Sequence, residues 1–264
     1  MGSRFISAVA FYGPKSGRLR ELVTDIQDLI ASHVGDDFLP YTHEQVHATL
    51  IALNGVRVDS GNRGGTVVNE YMLTLAGQRR EMDLPQVMDI LARRFATPLP
   101  VRVGGFRPDQ APPFTSRGQH PAQRSFSVQD RAFVLVGWPA ASIAGDGRPL
   151  DDLRREMNAA GLKHRYHASP GDVDNDLHMV VGHHAGAPAA ALGQAAAAVR
   201  DMLAARPADL AIGLADVKIV AADSHTLAPP LFVSEIPADD VSVLDWIAPT
   251  GLGEMDPSRG GDQC

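Results

Sequence analysis

The same order of predicted elements occurs twice along this chain, and this repetition restricts the possible folds more than any other feature. The first half reads as strand, helix, strand, helix and strand, at residues 4–12, 19–30, 46–53, 83–95 and 101–106. The second half reads as strand, helix, strand, helix and strand, at residues 132–138, 149–160, 177–182, 187–203 and 215–221. The chain is therefore expected to form one domain of mixed helix and sheet, built from two similar halves.

Each half carries a histidine in its second predicted strand. There are 42 positions from Phe5 to His47 and 45 from Phe133 to His178, so the two histidines fall at matching points of the two halves. We expect both histidine strands to face a shared cleft.

The charge and the cysteine content narrow the classes of partner and compartment. The formal net charge is −7, and Lys and Arg are scattered, which argues against long duplex nucleic acid but permits a small nucleotide or an RNA end. The one cysteine, Cys264, cannot form an internal disulfide or a cysteine-based zinc site, which fits a reducing compartment. No run approaches the roughly 20 apolar residues of a membrane helix. We expect a cytoplasmic protein without a membrane partner, and the sequence leaves its oligomeric state open.

The first histidine strand combines two side chains that suit a phosphate group. Residues i and i+2 of a strand point to the same face, so His47 and Thr49 present an imidazole and a hydroxyl side by side. The hydroxyl can donate to a phosphate oxygen, and the histidine can give or take a proton near neutral pH. A second histidine strand facing the first would supply both an acid and a base.

These residues resemble the two-histidine (2H) phosphoesterase superfamily, which includes the 2′-5′ RNA ligase-like proteins and the 2′,3′-cyclic nucleotide phosphodiesterases. The resemblance covers roughly residues 4–237. Phe38-Leu39-Pro40 and the run from His47-Ala48-Thr49-Leu50 to Asn54-Gly55 are similar to the family's first His-x-Thr strand with its flanking turn. His178-Met179-Val180-Val181 is similar to the second histidine strand, and the segments near 222–223 and 231–233 are similar to the closing elements.

The resemblance implies an α+β fold of two pseudo-symmetric lobes, each a mainly antiparallel sheet with outer helices, around a central cleft. We expect a single bilobal domain over residues 1–248, with lobes at about 1–110 and 125–238. The segment 107–124 is rich in Pro, Gly, Ser and Gln and is expected to be a linker, and residues 249–264 a flexible tail.

The resemblance also implies metal-independent hydrolysis of a 2′,3′-cyclic phosphate or a 2′-5′ phosphodiester, with no cofactor and no bound metal. His47 and His178 are then the catalytic acid and base, in an order that the sequence leaves open. Thr49 would hold a phosphate oxygen.

The sequence departs from the family pattern at Val180, where the family has Thr or Ser. Because a valine side chain cannot donate to phosphate, only the main chain of Val180 is expected to contact the substrate. By strict alternation His184 shares the face of His178, and His183 points the other way. His184 lies about 20 Å farther along the strand, too far to replace a contact beside His178.

Two alternatives remain open. His43-Glu44-Gln45-Val46-His47 also satisfies the HExxH pattern of zinc metallopeptidases, with Glu70 as a third ligand, but that motif requires a helix. The other alternative is a degenerate, non-catalytic protein that binds a nucleotide. The remaining polar histidine groups, at 163–167 and 183–184, are expected in a solvated loop and at a strand end.

Overall fold

The structure is a computed structural model that describes residues 5–15, 17–58, 65–224, 226–228, 230 and 232–236. The expected tail, 249–264, lies outside these residues. The described strands are β1 (Phe5–Ala10), β2 (Phe38–Pro40), β3 (Ala48–Ala52), β4 (Gly55–Val58), β5 (Thr66–Asn69), β6 (Leu99–Val103), β7 (Phe126–Gln129), β8 (Ala132–Pro139), β9 (Leu177–His184), β10 (Ala208–Ile212), β11 (Val217–Ala222) and β12 (Phe232–Glu235). The described α-helices are α1 (Gly17–Val34), α2 (Glu70–Ala76), α3 (Leu84–Phe95), α4 (Pro121–Arg124), α5 (Ala140–Ala144), α6 (Pro149–Glu156) and α7 (Ala189–Ala205).

One large antiparallel sheet organises the molecule. Its strand order is β10-β6-β8-β9-β3-β1-β11-β12, with β2 added beside β9 and β7 beside β8, while β4 and β5 form a separate hairpin. Every pairing between these described strands is antiparallel. The protein therefore has the expected α+β architecture of a mainly antiparallel sheet with helices packed on it. None of the helices in the described part of the chain is long and apolar enough to cross a membrane.

The two histidine strands, β3 and β9, are the innermost pair of this sheet. On one side of them lie β1, β11 and β12, and on the other lie β8, β6 and β10. The two halves of the sheet do not coincide with the two expected lobes of the sequence, because β6 from the first half joins β8 and β10, and β11 from the second half joins β1. Periodicity identifies a strand, but contacts distant in sequence choose its neighbour.

The main hydrophobic core lies between the sheet and the helices. Buried apolar residues of α1, α3, α6 and α7 all belong to it, together with the core-facing residues of the central strands. In α1 the apolar side chains recur at helical spacing, and this stripe is the face that the helix buries. Helix α3 begins where predicted, with the Asp83 carboxylate accepting from the main-chain N–H of Gln86 at 3.0 Å.

Two smaller apolar clusters cover the opposite face of the sheet, one on each half. One consists of Val9, Val220, Ala222 and Leu227. The other consists of Phe106, Ala122, Val134, Val136 and Trp138. The histidine strands lie between the halves that carry these clusters.

The segment 107–124 is not a simple linker but a packed part of the second cluster. Its Phe114 ring lies 5.7 Å from that of Phe106 and 5.4 Å from that of Trp138. Ser116 and Arg124 are both buried. The composition of the segment indicated a loop, but its few apolar side chains anchor it to the sheet.

Candidate functional site

The histidine strands are paired with each other in antiparallel register. Ala48 is the partner of Met179, so the same register continued by one residue places His47 opposite Val180 and Thr49 opposite His178. Ala48 and Met179 are fully buried in the main core. Since side chains alternate between faces, the four neighbouring residues share the opposite face of the sheet.

Matching irregularities make the two strands structurally equivalent. The pairing of β1 with β3 skips Leu50, and the pairing of β8 with β9 skips Val181, so each histidine is followed three positions later by a β-bulge. In these registers Val9 pairs with Thr49, and Val134 pairs with Val180. The equivalence predicted from element order therefore holds at the level of single residues.

The two imidazoles are placed diagonally across the paired strands. Diagonal neighbours in such a pair have side chains roughly 7–8 Å apart at their bases, which leaves room for one phosphate group between two rings. His47 is only 8% exposed, and the His178 side chain is 22% exposed. His47 lies one residue before β3 and not inside it, so the predicted strand 46–53 is shorter at both ends.

The His47 ring has one nitrogen occupied and one without a hydrogen-bond partner among the described residues. Its Nδ1 lies 2.7 Å from the main-chain oxygen of Gln45. Because a carbonyl oxygen only accepts, Nδ1 donates, and the lone pair of the neutral ring is then on Nε2. Burial lowers the pKa of His47, the bond to Gln45 opposes this shift, and the charge of Lys15 adds to it. The ring is therefore neutral at pH 7 and able to take a proton on Nε2.

Lys15 anchors the loop beside His47. Its Nζ donates to the main-chain oxygens of Phe11, Gly13 (2.8 Å) and Glu44 (3.4 Å). Burial lowers the pKa of Lys15 to about 8. With three acceptors for its three N–H groups, the ammonium joins the end of β1 to the turn that precedes His47.

His178 contacts a donor and an acceptor through the same nitrogen. Its Nε2 lies 3.2 Å from Nη2 of Arg124 and 3.4 Å from Oδ2 of Asp176. A guanidinium only donates and a carboxylate only accepts, so Nε2 has a partner whether or not it carries a hydrogen.

Asp176 is the centre of a buried polar network that the sequence reading missed. It accepts from Trp138 Nε1 at 2.7 Å, from Ser116 Oγ at 2.7 and 2.8 Å, and from Arg124 Nη2 at 2.9 Å. Burial opposes ionisation, but the hydrogen bonds from His178, Arg124 and Ser116 bring the pKa of Asp176 well below its ordinary range. The carboxylate is therefore ionised, and it fixes the Arg124 guanidinium beside His178.

A fully buried arginine connects the two histidine strands. The guanidinium of Arg154, on α6, donates to the main-chain oxygens of Thr49 (3.3 Å) and Leu50 (3.0 Å) in β3. It also donates to the main-chain oxygens of Asp174 (2.8 Å) and Asp176 (3.1 Å), just before β9. Arg154 thus fixes the β3 bulge relative to the start of β9.

Two histidines expected in a solvated loop are instead buried against carboxylates. His164 Nε2 lies 2.7 Å from Asp174 Oδ2, and His167 Nε2 lies 2.8 Å from Asp151 Oδ1. Both rings are less than a tenth exposed. The expectation was wrong because the polar appearance of 163–167 does not reveal acids that lie 10 and 16 residues away.

The bulge at Val181 reverses the expected directions of His183 and His184. After the bulge, His183 pairs with Ala132. The side chain of Ala132 lies on the same face of β8 as Val134 and Val136, so His183 lies on that face too. His184 lies with its ring 6.0 Å from Phe133, on the core side. Strict alternation, which assigned His184 to the face of His178, fails at the bulge.

Val180 offers neither a polar side chain nor a suitably directed main-chain group. Its side chain packs partly against the main core and partly against the cluster of Trp138 and Ala122. Its main chain pairs with Val134, and the peptide groups of a strand lie in the plane of the sheet. A phosphate above the face would therefore not receive a main-chain N–H from Val180, contrary to the sequence-based expectation.

The HExxH alternative lacks the helix that it requires. Residues 43–45 form a turn and residues 46 and 47 belong to no helix, so His43 and His47 do not share a helical face. His43 Nε2 bonds Thr24 Oγ1 at 2.9 Å, and Glu70 begins α2 near Asn54. No cluster of three or more potential metal-binding side chains occurs among the residues that the structure describes. The geometry therefore contradicts the metallopeptidase hypothesis.

A large pocket opens beside Asp176. It has a volume of about 960 Å³, and its lining includes Ser116, Arg117, Trp138, Arg148, Arg165 and Tyr166, but neither His47 nor His178. The Arg117 guanidinium lies 3.8 Å from the Tyr166 ring centre, and the Tyr166 ring lies 6.4 Å from that of His178. The pocket therefore adjoins His178 through two of its lining residues, Asp176 and Tyr166.

The comparisons with known proteins leave the function open. No protein-family model matches the chain, and no curated protein matches it. Among solved structures, TT0787 of Thermus thermophilus matches at 15% identity and a TM-score of 0.41, over 89% of this chain and 100% of that one. A conserved protein of unknown function, ATU0111 from Agrobacterium tumefaciens str. C58, matches at 11% identity and a TM-score of 0.42, over 91% of this chain and 87% of that one. At these values neither match carries information about activity.

Proposed function

We propose that the protein is a metal-independent phosphodiesterase that hydrolyses a 2′,3′-cyclic phosphate or a 2′-5′ phosphodiester in a nucleotide or RNA end. The observation that supports this proposal is the placement of His47 and His178 at equivalent positions on one face of two paired strands. A phosphorus centre bound between the two rings would have one imidazole on the side of the attacking oxygen and the other on the side of the leaving oxygen. In-line displacement with an acid and a base requires this arrangement.

The surroundings of the two rings favour an assignment of acid and base. His47 is neutral and carries its lone pair on Nε2, so in the proposed reaction it accepts a proton from the attacking water. The water oxygen forms a bond to phosphorus, the bond from phosphorus to one ribose oxygen breaks, and His178 donates a proton to that oxygen. Thr49 Oγ1 donates to a non-bridging phosphate oxygen as negative charge accumulates there. Exchange with solvent restores both rings.

The pocket beside Asp176 suits the remainder of such a substrate. Tyr166 and Phe114 provide aromatic surface, and Arg148 and Arg165 form no ion pair with an acidic side chain of the described residues. Aromatic and cationic groups together fit nucleobases and phosphates.

Substitution of the two histidines tests the proposal. His47→Ala and His178→Ala should each reduce hydrolysis of 2′,3′-cyclic or 2′-5′-linked nucleotides at least a hundredfold, because general acid–base catalysis contributes about 10²–10⁴-fold. His43→Ala is the matched control, since this histidine bonds Thr24 on α1, and it should keep the wild-type rate. Chelators should have no effect. Normal turnover in either catalytic variant would contradict the assignment.

A non-catalytic nucleotide-binding protein is the second candidate, and the apolar side chain of Val180 is the observation that favours it. In that case the wild-type protein would bind 2′,3′-cyclic nucleotides and leave them intact. Calorimetry with the same nucleotides, run beside the hydrolysis assay, separates the two functions.

A further inference from the structure

The proposed site is asymmetric at one pair of equivalent positions. Thr49 provides a hydroxyl two residues after His47, whereas Val180 provides none two residues after His178. The β-bulge registers show that these two positions correspond. A phosphate held between the rings would therefore lack one donor on the His178 side.

Arg124 lies on that side. It ends α4, in the segment that covers Val180, and its side chain is only 11% exposed. Its Nη2 atom is 3.2 Å from Nε2 of His178, the end of the ring at which a proton would be exchanged. A phosphate oxygen that approaches this nitrogen comes within reach of the guanidinium.

The guanidinium still has donors to offer. Its Nη2 bonds Asp176 and His178, and its Nε lies 3.4 Å from Ser116 Oγ. Within the described ranges, Nη1 makes no hydrogen bond to another residue. The buried polar atoms that lack a partner do not include Nη1, so this atom reaches solvent. Two N–H groups therefore remain accessible beside His178.

We propose that Arg124 supplies the phosphate-binding donor that position 180 lacks. This inference rests on the function proposed above. The two Nη1 N–H groups would donate to non-bridging oxygens of the phosphate, and Nη2 would transfer its hydrogen bond from the His178 ring to the substrate. A guanidinium is suited to this task because it stays charged and its planar donors match phosphate oxygens. Asp176 holds it in place at 2.9 Å.

The valine and the arginine belong to one structural arrangement. Val180 packs against the cluster that contains Ala122, which lies on the same short helix as Arg124. The apolar side chain at position 180 thus helps to seat the segment that brings the cation to the site. A hydroxyl on the strand and a guanidinium from the covering segment are two solutions to the same requirement.

A rescue experiment tests this role. Arg124→Met should lower kcat/KM about 10²–10³-fold, the usual effect of removing one such donor. Adding Val180→Thr in the same chain should recover at least tenfold, because it places a hydroxyl at the position equivalent to Thr49. Arg102→Met is the matched control, since Arg102 pairs with Asp209 on the outer strand pair β6 and β10, and it should behave as wild type.

Several results would overturn the inference. One is a kcat/KM of Arg124→Met within threefold of the wild-type value. Another is a double variant in which Val180→Thr recovers no activity although its thermal unfolding matches that of Arg124→Met. If Arg124→Met does not fold, Arg124→Lys keeps a cation beside Asp176 but loses the planar fork, and its kcat/KM should fall at least tenfold. An unchanged value would also refute the inference.

A binding measurement separates this inference from the proposed function. Adenosine 3′-monophosphate should bind wild type at least tenfold more tightly than Arg124→Met in calorimetry. If wild type hydrolyses no nucleotide, the proposed function fails, and the binding difference alone decides the role of Arg124. Equal affinities, or no binding to wild type, would refute it.

Discussion

At the scale of single residues, the environment of His47 sets its protonation state. The ring is almost completely buried, one nitrogen donates to the main chain, and Lys15 places a positive charge nearby. Burial and the charge of Lys15 disfavour the imidazolium, and the hydrogen bond to the main chain favours it. A general base with these properties stays active at a lower pH than a free imidazole does.

The pH profile of kcat/KM should show this effect. Because the pKa of His47 lies below the ordinary value of 6.5, the acid limb of the profile should fall below pH 6.5. Lys15→Gln should move that limb to higher pH, since it removes a like charge. Steady-state rates from pH 4.5 to 8 measure both, and an acid limb at or above 6.5 in wild type would contradict the assignment of His47 as base.

Sequence reasoning identified some residues of the candidate site and missed others for a physical reason. His47, Thr49 and His178 lie in short apolar runs. A polar residue stands out in such a run, and the alternation of side chains in a strand shows which of its neighbours share its face. Arg124 and Ser116 reach Asp176 from 52 and 60 residues away, through packing that no local pattern records. One signal was available: Asp174, Asp176 and His178 alternate at spacing two, which places them on one face of an extended chain.

At the scale of secondary-structure elements, the long helices and strands were predictable, whereas the short strands and the short helices α2, α4 and α5 were not. Amphipathic spacing located α1, α3 and α6, and apolar runs located β8 and β9. Strand β2 has three residues and ends in Pro40, so it carries no recognisable period. It pairs with β9 beside Gly182, where an added Cβ would lie 2.6 Å from the Phe38 ring. Such close approaches depend on the assembled sheet.

Arg154 provides the test at this scale. Arg154→Met should lower the free energy of unfolding by about 3–5 kcal/mol, because it removes the more deeply buried of the two arginines that pair with Asp174 and leaves four main-chain oxygens with fewer donors. Urea denaturation followed by circular dichroism measures the change. Arg93→Met removes an exposed ion pair with Glu156 and should cost less than about 1 kcal/mol. Equal effects of the two substitutions would contradict the proposed role of Arg154.

At the scale of the whole molecule, buried histidines make stability depend on pH. Burial lowers the pKa of His164 to about 4, despite its hydrogen bond with Asp174, and the pKa values of His47 and His167 are lowered too. In the unfolded chain these rings take up protons near pH 6.5, before the folded rings do. Stability is therefore full above that pH and declines as the pH falls towards 4. Below about 4 the buried carboxylates add a further loss, because the pKa values of Asp174 and Asp176 are lowered by folding.

The decline between pH 6.5 and 4 should amount to about 3 kcal/mol from His164 alone. His164→Gln retains a donor for Asp174 and should flatten the dependence, whereas the exposed His33→Gln should leave it unchanged. Denaturation midpoints measured at several pH values decide the matter. A free energy of unfolding that stays constant over this window would show that the buried rings do not control acid sensitivity.

The exchange of β6 and β11 between the halves of the sheet also constrains how the chain can be assembled on the ribosome. When residues up to 106 have emerged, β6 has no partner, because β8 and β10 are both still to be made. The inner edge of β3 stays uncovered until β9 arrives, and β1 waits for β11. Neither half can complete its hydrogen-bonded ladder until β10 and β11 have been made, so the face that carries both histidines is fully supported only after residue 222 has emerged.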